Sequence, residues 1–133
     1  MPIRAGTVDD LIIALPMICE MIPDKAGLTA EDVVRRLEGR KYGIQVYENG
    51  IKGIQVWYED KGELYLWLGA VAEQGKGLMR QMLEELDSET SYKRWHVKVK
   101  NTYGHAMSLL KGFGFEEYGR EGKVVYLEKK ILK

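Results

Sequence analysis

The stretch Glu73-Gln74-Gly75-Lys76-Gly77 follows an apolar segment, Leu64-Tyr65-Leu66-Trp67-Leu68, and precedes residues whose apolar positions recur at helical spacing. We predict a helix over Leu78–Leu86, so the chain passes from a strand through a glycine-rich turn into a helix. Backbone N–H groups at a helix start lack partners within the helix, and the positive end of the helix dipole lies behind them. Because the two glycines have no Cβ, an anion can approach closely, and the lysine between them adds positive charge. The stretch therefore predicts a phosphate-binding turn.

Two common phosphate motifs do not account for this turn. The sequence lacks the G-x-x-x-x-G-K-[ST] pattern of P-loop proteins and the G-x-G-x-x-G pattern of dinucleotide-binding folds. A Gly-Lys-Gly sequence also occurs in tight loops that bind nothing, so the rest of the chain has to decide between the two interpretations.

The first forty residues predict a short strand and two helices. Ile3-Arg4-Ala5 fits a strand, and Thr7, with an acidic residue three positions later, is typical of a helix N-cap. The following helix, over Leu11–Ile22, contains Pro16, which is expected to kink or split it. Thr29 is the predicted cap of a second helix that ends before Gly39.

Three antiparallel strands are predicted next. Tyr42–Tyr47 alternates in polarity, Asn49-Gly50 is a strong hairpin signal, and the chain returns over Ile51–Tyr58. After a second turn, Glu63–Val71 is almost continuously apolar, as expected for a central strand covered on both faces.

The segment after the predicted helix alternates again between strand and helix. Trp95–Val99 fits a strand which, because a helix precedes it, should lie parallel to Glu63–Val71. Asn101-Thr102 is the predicted cap of a short helix over Tyr103–Lys111, and two final strands turn at Glu121-Gly122. The whole order predicts an α+β fold.

Composition limits the classes of function. The chain has 133 residues with 20 basic and 20 acidic side chains, which favours one domain and gives no support for a nucleic-acid or membrane-surface partner. No apolar run approaches the ~20 residues of a membrane-spanning helix, and no signal peptide is evident. One cysteine and two histidines cannot form a typical structural zinc site, so we expect no metal. These features predict a cytoplasmic protein.

Two motifs give the sequence a resemblance to the GNAT superfamily of N-acetyltransferases. The turn resembles that family's [QR]-x-x-G-x-[GA] pyrophosphate loop, with Gln74 and Gly77 at the first and fourth positions and Met79 at the sixth, where a small residue is usual. The segment Ala106-x-x-Leu109-Leu110-x-x-x-Gly114-Phe115 is similar to the family's A-x-x-L-Y-x-x-x-G-F. The predicted element order resembles the complete GNAT fold over residues 1–133: a mostly antiparallel mixed sheet with helices on both faces and a central parallel strand pair that splays apart.

The resemblance implies acetyl-CoA as co-substrate and an amine as acceptor. No metal is expected, and a homodimer is one assembly that the chain could form. The pantetheine arm would pair with the strand backbone at Trp67, Leu68 and Gly69, where the parallel strands separate. The amide of Trp67 or Leu68 would stabilise the oxyanion. The remaining cofactor contacts would come from Gln74, Gly75, Lys76, Gly77, Leu78, Met79 and Asn101.

Glu63 is the predicted general base. It starts an otherwise apolar strand, and strand alternation places Glu63, Tyr65, Trp67 and Gly69 on one face. The resemblance supports this role, because histone-acetylating members have a glutamate at the same distance before the turn. The alternative is a solvated carboxylate at the end of a hairpin.

The family's usual acid is a tyrosine, and Leu110 occupies that position here. Other candidates for the general acid, chosen only because they lie near in the sequence, are Tyr103, His105 and Tyr118. The His96 side chain faces either the cleft or water. Leu110 at the tyrosine position and Met79 at the small-residue position favour a second hypothesis: a GNAT-fold module that binds CoA or a protein without turnover. An unrelated phosphate-binding domain is a third.

The acceptor is not identified by the sequence. In this fold the first two helices and the final strands line the acceptor groove. The acidic residues of these elements suit a cationic amine: Glu20, Asp24, Glu116 and Glu117. Acidic residues scattered along an element are, however, usually only a solvated face.

Overall fold

A computed structural model describes residues 2–48, 50–73 and 76–131. Seven strands and four α-helices occur in these ranges, with a 3-10 turn at Pro23–Lys25: β1 (Ile3–Ala5), α1 (Val8–Met21), α2 (Ala30–Leu37), β2 (Tyr42–Tyr47), β3 (Gly53–Asp60), β4 (Glu63–Val71), α3 (Leu78–Glu89), β5 (Arg94–Lys100), α4 (Gly104–Gly112), β6 (Glu116–Glu121) and β7 (Val124–Lys130).

The strands form one mixed sheet in the order β1-β2-β3-β4-β5-β7-β6. Neighbouring strands are antiparallel except for β4 and β5, which are parallel because α3 connects them across one face of the sheet. The predicted α+β order and its central parallel pair are therefore confirmed.

Each face of the sheet has its own apolar core. Helices α1 and α2 cover one face, where Leu11, Ile18 and Val33 are fully buried against side chains of β2, β3 and β4. Helix α3, through Leu83 and Leu86, packs on the other face together with residues of α4 and its C-terminal loop. The predicted helices on both faces are confirmed, and each face presents a different set of β4 side chains.

Helix α1 is continuous through Pro16, so the predicted split of this helix does not occur. Proline removes one backbone hydrogen bond, but the helix buries Leu11, Ala14 and Ile18 against the sheet, and this packing outweighs the loss. The predicted N-cap is confirmed: the Thr7 side chain accepts from the Asp10 amide, and the Asp10 carboxylate accepts from the Thr7 amide.

Two predicted boundaries differ in the structure. The β2–β3 connection spans residues 48–52, because Tyr47 pairs with Gly53 and Ile51 adopts a positive φ of 50°. The Asn49 half of the predicted Asn49-Gly50 turn lies outside the described residues. Helix α4 begins at Gly104, with Tyr103 rather than Asn101-Thr102 at the cap position and no side-chain cap bond.

Candidate active site

Strands β4 and β5 separate partway along their length. Their parallel ladder contains three pairs, Leu64 with Trp95, Tyr65 with His96 and Leu66 with Val97, and then ends. Strand β4 continues to Val71 beside β3, and β5 continues to Lys100 beside β7. The predicted splay is confirmed. It leaves one edge of β4 beyond Leu66 without a partner strand, which is the geometry required for an extended ligand to pair with strand backbone.

A β-bulge lies where the separation begins. Trp57 of β3 pairs with Leu66 and Val56 pairs with Leu68, so Trp67 has no partner on β3. A bulge turns backbone groups out of the regular ladder and re-aims side chains. The residues predicted to bind the pantetheine arm and the oxyanion therefore include the bulge residue itself.

The bulge also changes which side chains share a face. Gly69 was expected on the same face as Glu63 and Trp67, and this is wrong. Beyond the bulge it is Leu68 that packs into the core under α1 and α2. A Cβ built on Gly69 would point the other way and lie 3.1 Å from Cε of Met79 in α3. The glycine thus makes room for the methionine that stands where the family has a small residue.

The start of α3 has the backbone geometry expected of an anion site. Gly77 is the N-cap, with φ of 74°, and among the residues that the structure describes no side chain forms a cap hydrogen bond with the helix. Apart from its chain neighbours, no atom of the described residues lies within 4 Å of a Cβ built at this position, so these residues leave the space above the turn open. Lys76 directly precedes the cap, and Leu78 and Met79 are the first two residues of the helix. Gln74 and Gly75, also predicted to bind the cofactor, lie outside the described residues.

Glu63 and His96 form a close pair on the face covered by α1 and α2. The Glu63 Oε1 atom lies 2.6 Å from Nε2 of His96, and its other oxygen lies 3.8 Å from an Arg94 nitrogen. His96 is only 8% exposed, while the Glu63 side chain is 33% exposed. Glu63 is therefore neither isolated nor buried, because it links a buried imidazole to solvent. Sequence alternation left the direction of His96 open, and only strand register identified this pair.

Aromatic rings extend from this pair in both directions. The Tyr65 ring stacks on His96 at 4.6 Å, and the Tyr58 ring stacks on Tyr65 at 5.6 Å. On the other side, the Tyr118 hydroxyl lies 3.4 Å from Nδ1 of His96. Burial, and then the negative charge of Glu63, raise the pKa of Tyr65. The Tyr65 phenol therefore stays protonated at neutral pH and can donate a hydrogen bond.

Leu110, at the position of the family's tyrosine, is 8% exposed and packs in the α3–α4 core. This position therefore provides no acid. The backbone N–H of Asn101 donates to the carbonyl of Lys123 at 2.8 Å, which places Asn101 beyond the end of β5. The Tyr103 hydroxyl donates to Asp24 at 2.5 Å, so α4 is tied to the α1–α2 connection.

In residues 2–48, 50–73 and 76–131, no three His, Cys, Asp or Glu side chains converge in a way that could hold a metal ion. Within the same ranges, no helix has the length and apolar character needed to cross a bilayer.

Comparison with solved structures relates this fold to acetyltransferases. The chain matches PaiA N-acetyltransferase from Thermoplasma acidophilum in complex with coenzyme A, with a TM-score of 0.79 and 15% identity over 97% of this chain and 98% of that one. It matches ribosomal-protein-S18-alanine N-acetyltransferase from Escherichia coli, with a TM-score of 0.75 and 17% identity over 97% and 92% of the two chains.

A GNAT family acetyltransferase from Elizabethkingia anophelis with acetyl-CoA bound gives a TM-score of 0.74 and 19% identity over 97% of both chains. No protein-family model and no curated protein sequence matched. At these identities the comparisons establish the fold, which is that of the GNAT acyltransferases, as the sequence resemblance predicted.

Proposed function

We propose that this chain, which has the GNAT acyltransferase fold, transfers the acetyl group of acetyl-CoA to a primary amine by direct attack. The observation that carries the proposal is the separation of β4 from β5 after Leu66, next to the bulge at Trp67. An unpaired strand edge can bind an extended amide-containing chain in the way that a neighbouring strand would. The uncapped, glycine-led start of α3 is suited to a pyrophosphate on the other side of the same opening.

The residues of the opening have distinct proposed roles. The backbone of Trp67, Leu68 and Gly69 would hold the pantetheine arm, and the amide of Trp67 or Leu68 would donate to the developing oxyanion. The described residues of the turn, Lys76, Gly77, Leu78 and Met79, would hold the pyrophosphate, with Gln74, Gly75 and Asn101 as further contacts. Acetyl-CoA would supply the activated acetyl group and the thiolate leaving group.

Glu63 is proposed as the general base, acting together with His96. An alkyl ammonium has a pKa near ~10.4, so at neutral pH fewer than about one molecule in a thousand is the free amine. The carboxylate would take this proton directly or through one water, and the imidazole at 2.6 Å would share the charge. After attack, the nitrogen loses its second proton and the departing thiolate gains one, so the reaction releases one proton overall.

One observation favours the alternative of a binding module without turnover. Leu110 is buried in the core, so the position of the family's acid cannot protonate the thiolate. A thiol-release assay distinguishes the transferase from the binding module. The protein is incubated with acetyl-CoA and mixed primary amines, and free CoA thiol is followed with a thiol reagent. Amine-dependent thiol release supports the transferase, whereas stabilisation by CoA without release supports the module.

A further inference from the structure

A cationic cleft lies beside the bulge, on the face of the sheet covered by α1 and α2. It has a volume of about 460 Å³, Trp67 is among the residues lining it, and four positively charged side chains surround it: Lys25, Arg35, Arg36 and Arg40. Two carboxylates also line it, those of Asp32 and Glu38. The Asp32 carboxylate accepts a hydrogen bond from the Thr29 amide, and the Asp32 amide donates to the Thr29 hydroxyl oxygen, so Asp32 is engaged in the cap of α2.

Two of these arginines are held against aromatic rings without a carboxylate partner. The Arg36 guanidinium lies 5.2 Å from the centre of the Trp67 ring, and the Arg40 guanidinium lies 4.5 Å from that of Tyr58. Among the described residues neither forms an ion pair, whereas Arg35 binds Glu31 at 2.9 Å. A guanidinium over a ring face keeps N–H groups available for another partner, and those groups can bind a carboxylate in two-point geometry.

The cleft is connected to the proposed reaction centre by direct contacts. Trp67, under Arg36, is the bulge residue at which the opening between β4 and β5 begins. Tyr58, under Arg40, stacks on Tyr65, which in turn stacks on His96. A molecule lying along these rings would extend from the Glu63–His96 pair at one end to the two arginines at the other.

The phosphates of acetyl-CoA do not account for this positive charge. The proposed pyrophosphate turn precedes α3, which packs on the opposite face of the sheet from α2. The arginines belong to α2 and the loop after it, so they are on the side from which an acceptor would approach.

Two of the four acidic side chains that the sequence suggested for a cationic acceptor have internal partners. Asp24 accepts from the Tyr103 hydroxyl at 2.5 Å, and Glu117 pairs with Arg120 at 2.9 Å. The cleft beside the bulge is lined by four positively charged and two negatively charged side chains, so positive charge predominates there.

We propose that the acceptor is a primary amine that carries a carboxylate, and that Arg36 and Arg40 bind this carboxylate while Glu63 receives the proton of the amine. The proposal rests on the acetyltransferase function proposed above. It assigns the substrate class through charge: an amino acid or a short acidic peptide, and not a polyamine.

Three amines with the same five-carbon chain provide the test. 5-Aminopentanoate ends in a carboxylate, 5-aminopentanamide in a neutral amide, and 1,5-diaminopentane in a second ammonium. We expect the highest kcat/KM with 5-aminopentanoate. R36A and R40A should each raise the KM for this substrate about tenfold or more, as for loss of a hydrogen bond to a charged group, and should leave the KM for acetyl-CoA and for the amide unchanged.

R35A is the matched control, because it removes the same charge from the adjacent position of α2, where Arg35 is already paired with Glu31. A KM increase in R35A equal to that in R36A would mean that general electrostatic attraction, and not the stacked arginines, is responsible. A higher kcat/KM for 1,5-diaminopentane overturns the assigned substrate class and leaves the transferase function intact.

Calorimetric titration of 5-aminopentanoate into the CoA-saturated protein separates the two proposals. Binding that depends on Arg36, without acetyl transfer to any of the three amines, supports the carboxylate site and contradicts the transferase. Absence of both binding and transfer contradicts the carboxylate site. Because Arg36 and Arg40 are exposed, their replacement should have little effect on folding, which the melting temperature of each variant verifies.

Discussion

At the scale of single residues, Glu63, the first residue of β4, is the proposed general base. The structure pairs it with a buried imidazole at 2.6 Å, so a change at Glu63 also affects His96. Glutamine keeps the shape and an oxygen that can still accept from Nε2–H, but it cannot take up a proton. This substitution therefore removes the proton-accepting group of Glu63 while keeping the packing of its side chain.

We expect Glu63→Gln to lower kcat roughly a hundredfold or more at neutral pH, which is the usual contribution of a general base, with CoA affinity unchanged. The rate of the variant should recover as the pH rises toward the pKa of the amine, because solvent then removes the proton. Steady-state kinetics between pH 6 and about 10 measure both effects.

Glu59→Gln is the control, because Glu59 lies on the neighbouring strand and binds the Tyr92 hydroxyl instead. A Glu63→Gln enzyme as fast as Glu59→Gln at neutral pH would show that Glu63 is only a hairpin-end carboxylate. The base would then have to be His96, His105 or a water chain.

Asp10 offers a second prediction at the scale of one residue, this time for stability. Hydrogen bonds from Arg4, and then from the Thr7 backbone, hold the pKa of Asp10 well below its usual range. A carboxyl whose pKa is lower in the folded state stabilises that state above its unfolded pKa, near ~3.9, and the contribution is lost as the pH falls below that value.

Asp10→Asn should therefore reduce the free energy of unfolding by about 1 kcal/mol at pH 7, and the difference from wild type should shrink below about pH 4. Urea unfolding at pH 7 and at about pH 3 tests the sign. Asp9→Asn removes the same charge from the first turn but is not part of the capping box, so it should cost less.

Among elements, β4 and α3 together form the opening. Strand β4 loses its partner after Leu66, and α3 begins at a glycine in the left-handed region. Gly77 satisfies two requirements, since its φ of 74° is strained for any other residue and its missing Cβ leaves space over the helix start. A substitution there combines backbone strain with loss of the anion site, so it needs a control for strain.

Gly39 provides that control. Its φ is also 74°, no atom in the described part of the chain lies within 4 Å of a Cβ built there, and it follows α2 rather than preceding α3. We expect Gly77→Val and Gly39→Val each to cost about 1–2 kcal/mol of stability through the left-handed backbone. Only Gly77→Val should lose CoA binding, measured by calorimetry at a temperature where both variants are folded. Normal CoA binding by Gly77→Val would place the pyrophosphate elsewhere.

At the scale of the whole molecule, the opening divides the sheet. Strands β1 to β4 lie on one side of the separation, and β5, β7 and β6 lie on the other. The β4–β5 ladder that joins them has three pairs, and the Glu63–His96 contact also links these two strands. A ligand that binds along the free edge of β4 and at the start of α3 would bind the folded state alone, and so would stabilise it.

CoA at a hundred times its Kd should add about 2.7 kcal/mol to the free energy of unfolding, which corresponds to a rise in Tm of roughly 5–15 °C for a chain of this size. Pantetheine, which lacks the pyrophosphate, should give a smaller shift at the same concentration. Differential scanning calorimetry with each ligand measures the difference. No shift with saturating CoA would contradict both the cofactor and the enzyme hypothesis.

Features that depend on nearby residues could be predicted from the sequence. Thr7 and Asp10 cap α1 because both groups lie within one turn, and the glycine after Lys76 begins α3 because few residues adopt its backbone conformation. The alternation of polarity in β2 and β3 predicted antiparallel strands. The helix between β4 and β5 predicted that these two strands are parallel. The motif resemblance then led to the fold that the comparisons confirm.

The tertiary structure alone decided the features that join distant segments. Nothing in the local pattern marks Trp67 as a bulge, yet that one extra residue reverses the face on which Gly69 lies. Glu63 meets His96, and Arg36 meets Trp67, across 33 and 31 positions of sequence, through strand pairing and helix packing. Register and packing depend on the balance of contacts over the whole sheet, and no short stretch of sequence encodes that balance.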